Sequence, residues 1–479
     1  MIASTSRPSS LSRRHLLAGG ISTAVLSLLG CGGGGGGGGV AGVGTGGTGS
    51  FASGPIRGFG SIVVGGVHYD EVGAQIVGDA GAALARGDLR LGMVVEVNGS
   101  DIHAGDDGKR RATAASIGLR SEIEGPISAI DPAQGSFVVL GQRVRVTPAT
   151  VFDDDLRGGL ASLRVGQVVE VYGLLQSDGH YTATRIDDED DARYYKLRGR
   201  VSALDAAARS LRIGDSLVSY ADIAGAVAGL ADGAYVRVEL LTTPTASGAW
   251  RASRIQVFSA GVTPPADAGG VKVEIEGYIT AFSSPTRFSV SGIAVDASGA
   301  AWLPAGLAAG VRVEVEGVLT GGVLQASEVE IEDDDDQDAF ELEGAIASLD
   351  RVAQTLVVSG VMVAFGQARF KGGTAADLAP GARIEVEGHL AADGTTLVAS
   401  EIEFEDSPDQ RDSYEVEGRI ASVSPAAGTF VVAGVTVDYT GARFVGGTVA
   451  QLAPGVKVEV EGRRLANGTL QAREIEFDD

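Results

Sequence analysis

Apolar and charged residues alternate in VRVEVEG at 311–317, and the chain writes nearly the same word again as VVEVNG at 94–99, VVEVYG at 168–173, RIEVEG at 383–388 and VKVEVEG at 456–462. Successive side chains on a strand point to opposite faces. Val311, Val313 and Val315 are therefore expected to face a core, and Arg312, Glu314 and Glu316 to face water. One strand recurring along the whole chain marks a repeat architecture. Aligned on this word, the chain divides into six units, 55–119, 121–187, 195–258, 271–332, 340–405 and 414–478.

Each unit opens on an alternating strand that ends in Glu-Gly-x-Ile or a near relative: EIEGPIS from 122, KLRGRVS from 196, EIEGYIT from 274, ELEGAIA from 341 and EVEGRIA from 415. The first unit departs most, with GPIRGFGSIVVGG from 54. A hairpin follows, as in FVVAGVTVDY at 430–439, where Phe430, Val432, Val435 and Val437 face a core and Gly434 makes the turn. Thr374 and Thr448 then suit the N-cap of one helical turn, which Gly381 and Gly455 stop. In the fifth strand Leu470 and Ala472 share one parity and Ile475 and Phe477 the other. The same slip recurs at Trp250, Ala252 and Ile255, and at Tyr181, Ala183 and Ile186. A phase change repeated at one place predicts a β-bulge, which bends a strand at a barrel corner.

Three strands, a helical turn and two strands, the last one bent, resemble the OB-fold, a small Greek-key barrel. A five-stranded SH3-like barrel is the alternative. Over most of 55–478 the units are also similar to the tandem repeats of a bacterial domain-of-unknown-function family found in envelope proteins, a resemblance that implies no catalytic residue. The expected fold is thus all-β, a tandem array of about six small five-stranded OB-like barrels with one helical turn each, after a disordered signal and a Gly-rich tether. Polar stretches such as DDEDDA from 187, GVTPPADAGG from 261, DDDDQD from 333 and EDSPDQRD from 405 read as solvated linkers, giving a string of semi-independent beads.

The first residues carry a different message. SRRHLL at 12–17, an apolar stretch and LLGC at 28–31 are the parts of an export signal. LLGC resembles a lipobox, which implies that Cys31 is lipidated and becomes the first mature residue. Arg13 and Arg14 resemble a twin-arginine signal, although Leu16 and Ala18 stand where that signal has other residues; two arginines also serve general secretion. The signal is assigned to 1–31 and the tether, opened by the glycine run Gly32 to Gly39, to 32–54, which as a flexible coil spans on the order of 25–30 Å. The membrane is then a partner through the lipid on Cys31. The expected location is the bacterial cell envelope, at the outer membrane facing the periplasm or the cell surface.

Charge and composition narrow the function. The 479 residues carry 62 acidic against 38 basic side chains, a net charge of −24, so a phosphate backbone would be repelled and nucleic acid is not an expected partner. The four histidines after the signal, His68, His103, His180 and His389, fall at unrelated repeat positions, and no nucleophile elbow or metalloprotease helix is written. The expectation is a non-enzymatic envelope lipoprotein acting as a binding or structural module, with an envelope protein or an oligosaccharide as possible partner class.

The carboxylates are the remaining chemistry. In an OB-like barrel strands one, four and five are neighbours, so Glu415, Glu417, Glu459, Glu461, Glu474 and Glu476 would crowd one face. Lys457, Arg419 and Arg473 are expected to offset them as surface pairs. No cofactor is expected; Ca²⁺ is the one candidate cation, at Asp333, Asp334, Asp335 and Asp336 or at Glu459 and Glu461. Tyr172, Tyr181 and Trp250 are the aromatic candidates for sugar recognition, with Trp250 at a core-parity position. A carboxylate-based hydrolase is the further alternative.

Overall fold

A computed structural model describes residues 49–79, 81–105, 108–190, 192–258, 271–332, 339–404, 413–464 and 469–478. Arg13, Arg14, Cys31, the glycine run and Asp333, Asp334, Asp335 and Asp336 lie outside the described residues. Among those described, helical structure is confined to 3-10 turns of three or four residues, so the molecule is all-β.

The sixth unit shows the circuit. Its strands Ser413–Ser424, Thr429–Val432, Val435–Asp438, Lys457–Arg464 and Leu470–Asp478 pair first to second, second to third, fifth to fourth and fourth to first, all antiparallel. Third and fifth pair in parallel through Val437 and Leu470, which closes the ring in the order 1-2-3-5-4-1. That closure is the OB arrangement rather than the SH3-like one. The same circuit closes in the fourth unit and, with shorter strands and the first-to-second link made by Gly58 opposite Val63, in the first. There the opening strand runs from Ser50 to Pro55, so it begins inside the stretch expected as tether.

Two glycines explain the repeated spelling. The expected bulge is present: across the fourth and fifth strands the register slips at Glu316/Gly317, Glu387/Gly388 and Glu461/Gly462, and at Tyr172/Gly173 in the second unit. A Cβ on Gly317 would lie 2.1 Å from the Gln325 carbonyl oxygen, and one on Gly388 would lie 2.3 Å from that of Val398. The final Gly of the word therefore lets the bulged partner strand approach. The Gly of Glu-Gly-x-Ile does the same for the hairpin, since a Cβ on Gly277 would meet the Ser291 hydroxyl at 2.4 Å. The hairpin turn itself has Ala433 at φ 49° and Gly434 at φ 78°, the paired left-handed residues of a type I′ turn.

The helical turn Val449–Gln451 after the third strand has Thr448 at its N-cap, as expected. Gln451 Oε1 accepts the Thr448 N–H at 2.7 Å, and Asp377 Oδ2 accepts both the N–H and the hydroxyl of Thr374, at 2.9 and 2.7 Å. In both turns the side chain three residues on reaches back to the threonine N–H, the reciprocal half of a capping box.

The beads are not independent. The opening strands of units two and three pair antiparallel through Glu124 and Lys196, and one core runs through both, from Ile123 and Val171 to Leu197 and Val238. In the first unit Ser50–Pro55 adds in parallel to the opening strand of the fourth, and Gly58–Phe59 to that of the fifth. The cores of units one and five merge, joining Ile62 and Tyr69 to Leu342 and Ile402. The sixth unit keeps its own sheet and its own core around Phe430 and Val460.

Candidate functional site

Alternation buries the valines of strands one, four and five and lines their glutamates up on the outer face of each barrel. In the fourth barrel Glu274 lies opposite Glu316, Glu276 opposite Glu314, and these opposite Glu328 and Glu330. The fifth barrel repeats this with Glu341, Glu343, Glu385, Glu387, Glu401 and Glu403. In the sixth, Glu415 pairs in register with Glu461, Glu417 with Glu459, and these with Glu474 and Glu476. Like charges directly across a strand pair are destabilising, and the offsetting cations come from two sources.

The first source is the barrel itself. Lys457 Nζ lies 2.5 Å from Glu417, as expected, whereas Arg419 donates to the Gly455 carbonyl at 2.8 Å. Arg443 Nε donates to Glu474 at 3.0 Å, a partner the sequence reading missed because it lies on the connector. In the fifth barrel Arg369 holds Glu401 in the same way, and Arg383, at the position of Lys457, pairs with Glu343 at 3.2 Å.

The second source is the first barrel, and no repeat pattern announces it. Lys109 Nζ reaches Glu341 at 2.7 Å and Glu385 at 2.6 Å on the fifth barrel. Its neighbour Arg110 holds Glu274 at 2.7 Å, bonds Glu316 and lies 3.9 Å from Glu314 on the fourth. Arg57 adds a bond to Glu276 at 3.2 Å, and Arg312 bonds the same carboxylate. Burial would raise the Glu276 carboxyl, but Arg312 and Arg57 outweigh it and hold it below the usual range.

The second and third barrels neutralise each other. The third writes Lys196, Arg198 and Arg237 at stripe positions where the fourth has Glu274, Glu276 and Glu314. Lys196 reaches Glu170 at 2.8 Å and Glu124 at 3.6 Å on the second barrel. Asp79, from the first barrel, enters this seam, 3.1 Å from Lys196, 3.7 Å from Arg237 and bonded to Arg198. All four side chains are less than a tenth exposed. Burial alone would raise the Asp79 carboxyl; the three cations outweigh it and hold it down to about 2.

Histidine and aromatic candidates resolve as follows. His68 Nδ1 lies 3.3 Å from the Ser61 hydroxyl and Nε2 lies 3.6 Å from Glu341, a serine, histidine and carboxylate in sequence. Burial, with Lys109 and Arg111 nearby, lowers its pKa. Yet Glu341 is the tighter partner of Lys109, and the Ile62 N–H beside Ser61 donates to Glu71 at 3.3 Å instead of facing a substrate oxygen. His180 sits half-buried beside Asp178 at 3.1 Å, His103 lies on a short exposed strand, and His389 lines a cleft among barrels one, four and five. Tyr172 and Tyr181 are buried, Tyr181 donating to the Arg198 carbonyl at 3.1 Å, and Trp250 packs edge-on against Tyr195 at 5.5 Å. Tyr172 and Tyr181 are therefore core, and Trp250 is half-buried against it. The sequence reading passed over Trp302, which is 67% exposed on the connector of the fourth barrel.

The family model described as "Domain of unknown function (DUF5666)" matches residues 124–187, 276–330, 343–403 and 417–476, half of the chain. The matches fall on the second, fourth, fifth and sixth barrels. A search of curated proteins finds no match. Among solved structures, one titled "drosophila Unr CSD456" is similar at 16% identity over 36% of this chain and 79% of that chain, with a TM-score of 0.13. Tandem OB-like barrels of this kind make a structural or binding module. On the four matched repeats, this chain belongs to the DUF5666 family of domains of unknown function.

Proposed function

We propose that this protein is a non-enzymatic, lipid-anchored module of the bacterial cell envelope, exported through its signal and held at the outer membrane by Cys31. The observation that carries the non-enzymatic part is the employment of the carboxylates: Glu274, Glu276, Glu341, Glu385 and Asp79 are each engaged by a lysine or arginine of another barrel. Groups tied up in this way join barrels and are poorly placed for proton transfer to a substrate. LLGC and the glycines after it support the anchor and a stand-off from the bilayer.

The anchor is tested by labelling cells with radioactive palmitate. Label in the wild-type chain and its absence from Cys31→Ser, with release of the variant from the membrane fraction, is the expected result; label retained in the variant would refute the anchor. An oligosaccharide-binding role is a weaker reading, since two of its three aromatic candidates are core. Glycan-array binding lost in Trp302→Ala would revive it.

A further inference from the structure

At the seam of the first and fourth barrels, Glu274, Glu314 and Glu316 each bring one carboxylate oxygen within 4.8 Å of the others. Glu274 is 3% exposed, and its Oε1 is buried with no hydrogen-bond partner. Beside it opens a cleft lined by Glu314, Glu316, Glu328 and Glu330, with Arg110 as the remaining wall residue. Among the described residues Arg110 is the cation paired with this trio. Once all three are ionised, three carboxylates less one guanidinium leave two negative charges around a buried Glu274, with Glu314 and Glu316 half-buried. Such a residue of charge is costly unless compensated, and its complement is one divalent cation.

The donor set selects the cation. Ligands that are all carboxylate oxygens favour a hard ion. Ca²⁺ holds oxygens at about 2.3–2.6 Å, which puts opposite ligands about 4.6–5.2 Å apart, and it tolerates irregular geometry. Oxygens already within 4.8 Å of one another can close on it by side-chain adjustment alone. Mg²⁺ requires a tighter octahedron and keeps its waters. We propose that Glu274, Glu314 and Glu316 form a Ca²⁺ site that locks the first barrel onto the fourth, with Arg110 as the inner counter-charge and Glu328 and Glu330 at the entrance. Protons compete for the same place, because burial and mutual repulsion push the Glu274 and Glu314 carboxyls upward.

The test uses the full chain in detergent at pH 8, with Ca²⁺ titrated calorimetrically and thermal unfolding followed with about 1 mM Ca²⁺ or with EDTA. One equivalent of Ca²⁺ should bind and raise the melting temperature, and Glu314→Gln should weaken binding about tenfold or more, ligand charge setting affinity. Glu476→Gln, on the exposed stripe of the sixth barrel, should bind as wild type. Glu314→Gln removes a repelled charge and should melt no lower than wild type in EDTA; if it fails to fold, Glu316→Gln takes its place. No heat and no shift with Ca²⁺ would overturn the proposal. Undiminished binding by the variant, which would place the ion elsewhere, for example on Asp333 to Asp336, would do the same, as would an equal response to Mg²⁺.

Discussion

The seam between barrels two and three and the seam between barrels one and four use homologous strand positions but treat charge oppositely. In the first, Lys196, Arg198 and Arg237 face Glu124, Glu170, Asp79 and Glu239, so cations and anions nearly balance. In the second, Arg110 stands against Glu274, Glu314 and Glu316. Asp79 and Glu274 are both buried, so desolvation raises each carboxyl, and the neighbouring charges decide whether that is overcome. Asp79 is held down to about 2, whereas Glu314 is driven up to about 7 by burial and by Glu276. One seam is a settled ion network. The other is short of positive charge.

Breaking the matched seam should have the largest effect. Asp79→Ala leaves three buried cations facing fewer anions, and removing one partner of a buried pair costs about 3–5 kcal/mol. Urea unfolding at pH 7 measures it, and a loss below about 1 kcal/mol would mean that the second and third barrels hold together without the first. Because its folded pKa lies below the ordinary 3.8, the Asp79 contribution is fully present above about pH 4 and disappears as pH falls toward 2.

The acid-rich seam should respond to pH in the other direction. The folded Glu314 carboxyl lies at about 7 against an ordinary 4.5, so the native state binds more protons than the unfolded chain between those values. In EDTA, raising the pH from 5 to 8 should therefore cost stability, on the order of 2–3 kcal/mol. Glu314→Gln should flatten that slope, and an unchanged slope would assign it to other groups.

Two smaller tests separate backbone geometry from charge. Gly317→Ala sets a methyl against the Gln325 carbonyl at the bulge and should cost about 1–3 kcal/mol by thermal unfolding, independent of salt. Lys457→Ala, whose partner Glu417 is 52% exposed, should cost less than about 0.5 kcal/mol and should vanish at high salt. A larger loss at Lys457 would show that the sixth stripe is more shielded than it looks.

Much of the barrel was legible because its rules are short in sequence. The phase slip at Leu470, Ala472 and Ile475 predicted the bulge, and Gly434 predicted the turn, since each depends on a few adjacent residues. The crowding of Glu459 and its neighbours was legible from alternation plus strand order. The partners of the stripes from other barrels were not, whereas Lys457 within the sixth barrel was. Trp302 escaped notice because one exposed aromatic on a connector has no periodicity, and Tyr172 and Tyr181 looked like loop aromatics until the strands closed around them.

The sequence by itself determined the repeating unit. Alternating valine and glutamate, a glycine at each close approach and a slip in the fifth strand suffice for a five-stranded barrel, because side-chain parity and steric contact are local. Only the tertiary structure decided that the barrels interlock, and which charge meets which. Lys109 and Glu341 stand 232 positions apart, and the repeat spelling of a barrel is the same whichever neighbour it meets. Electrostatic partnership depends on distance in space, and that distance is set by sheet edges and cores joining across barrels.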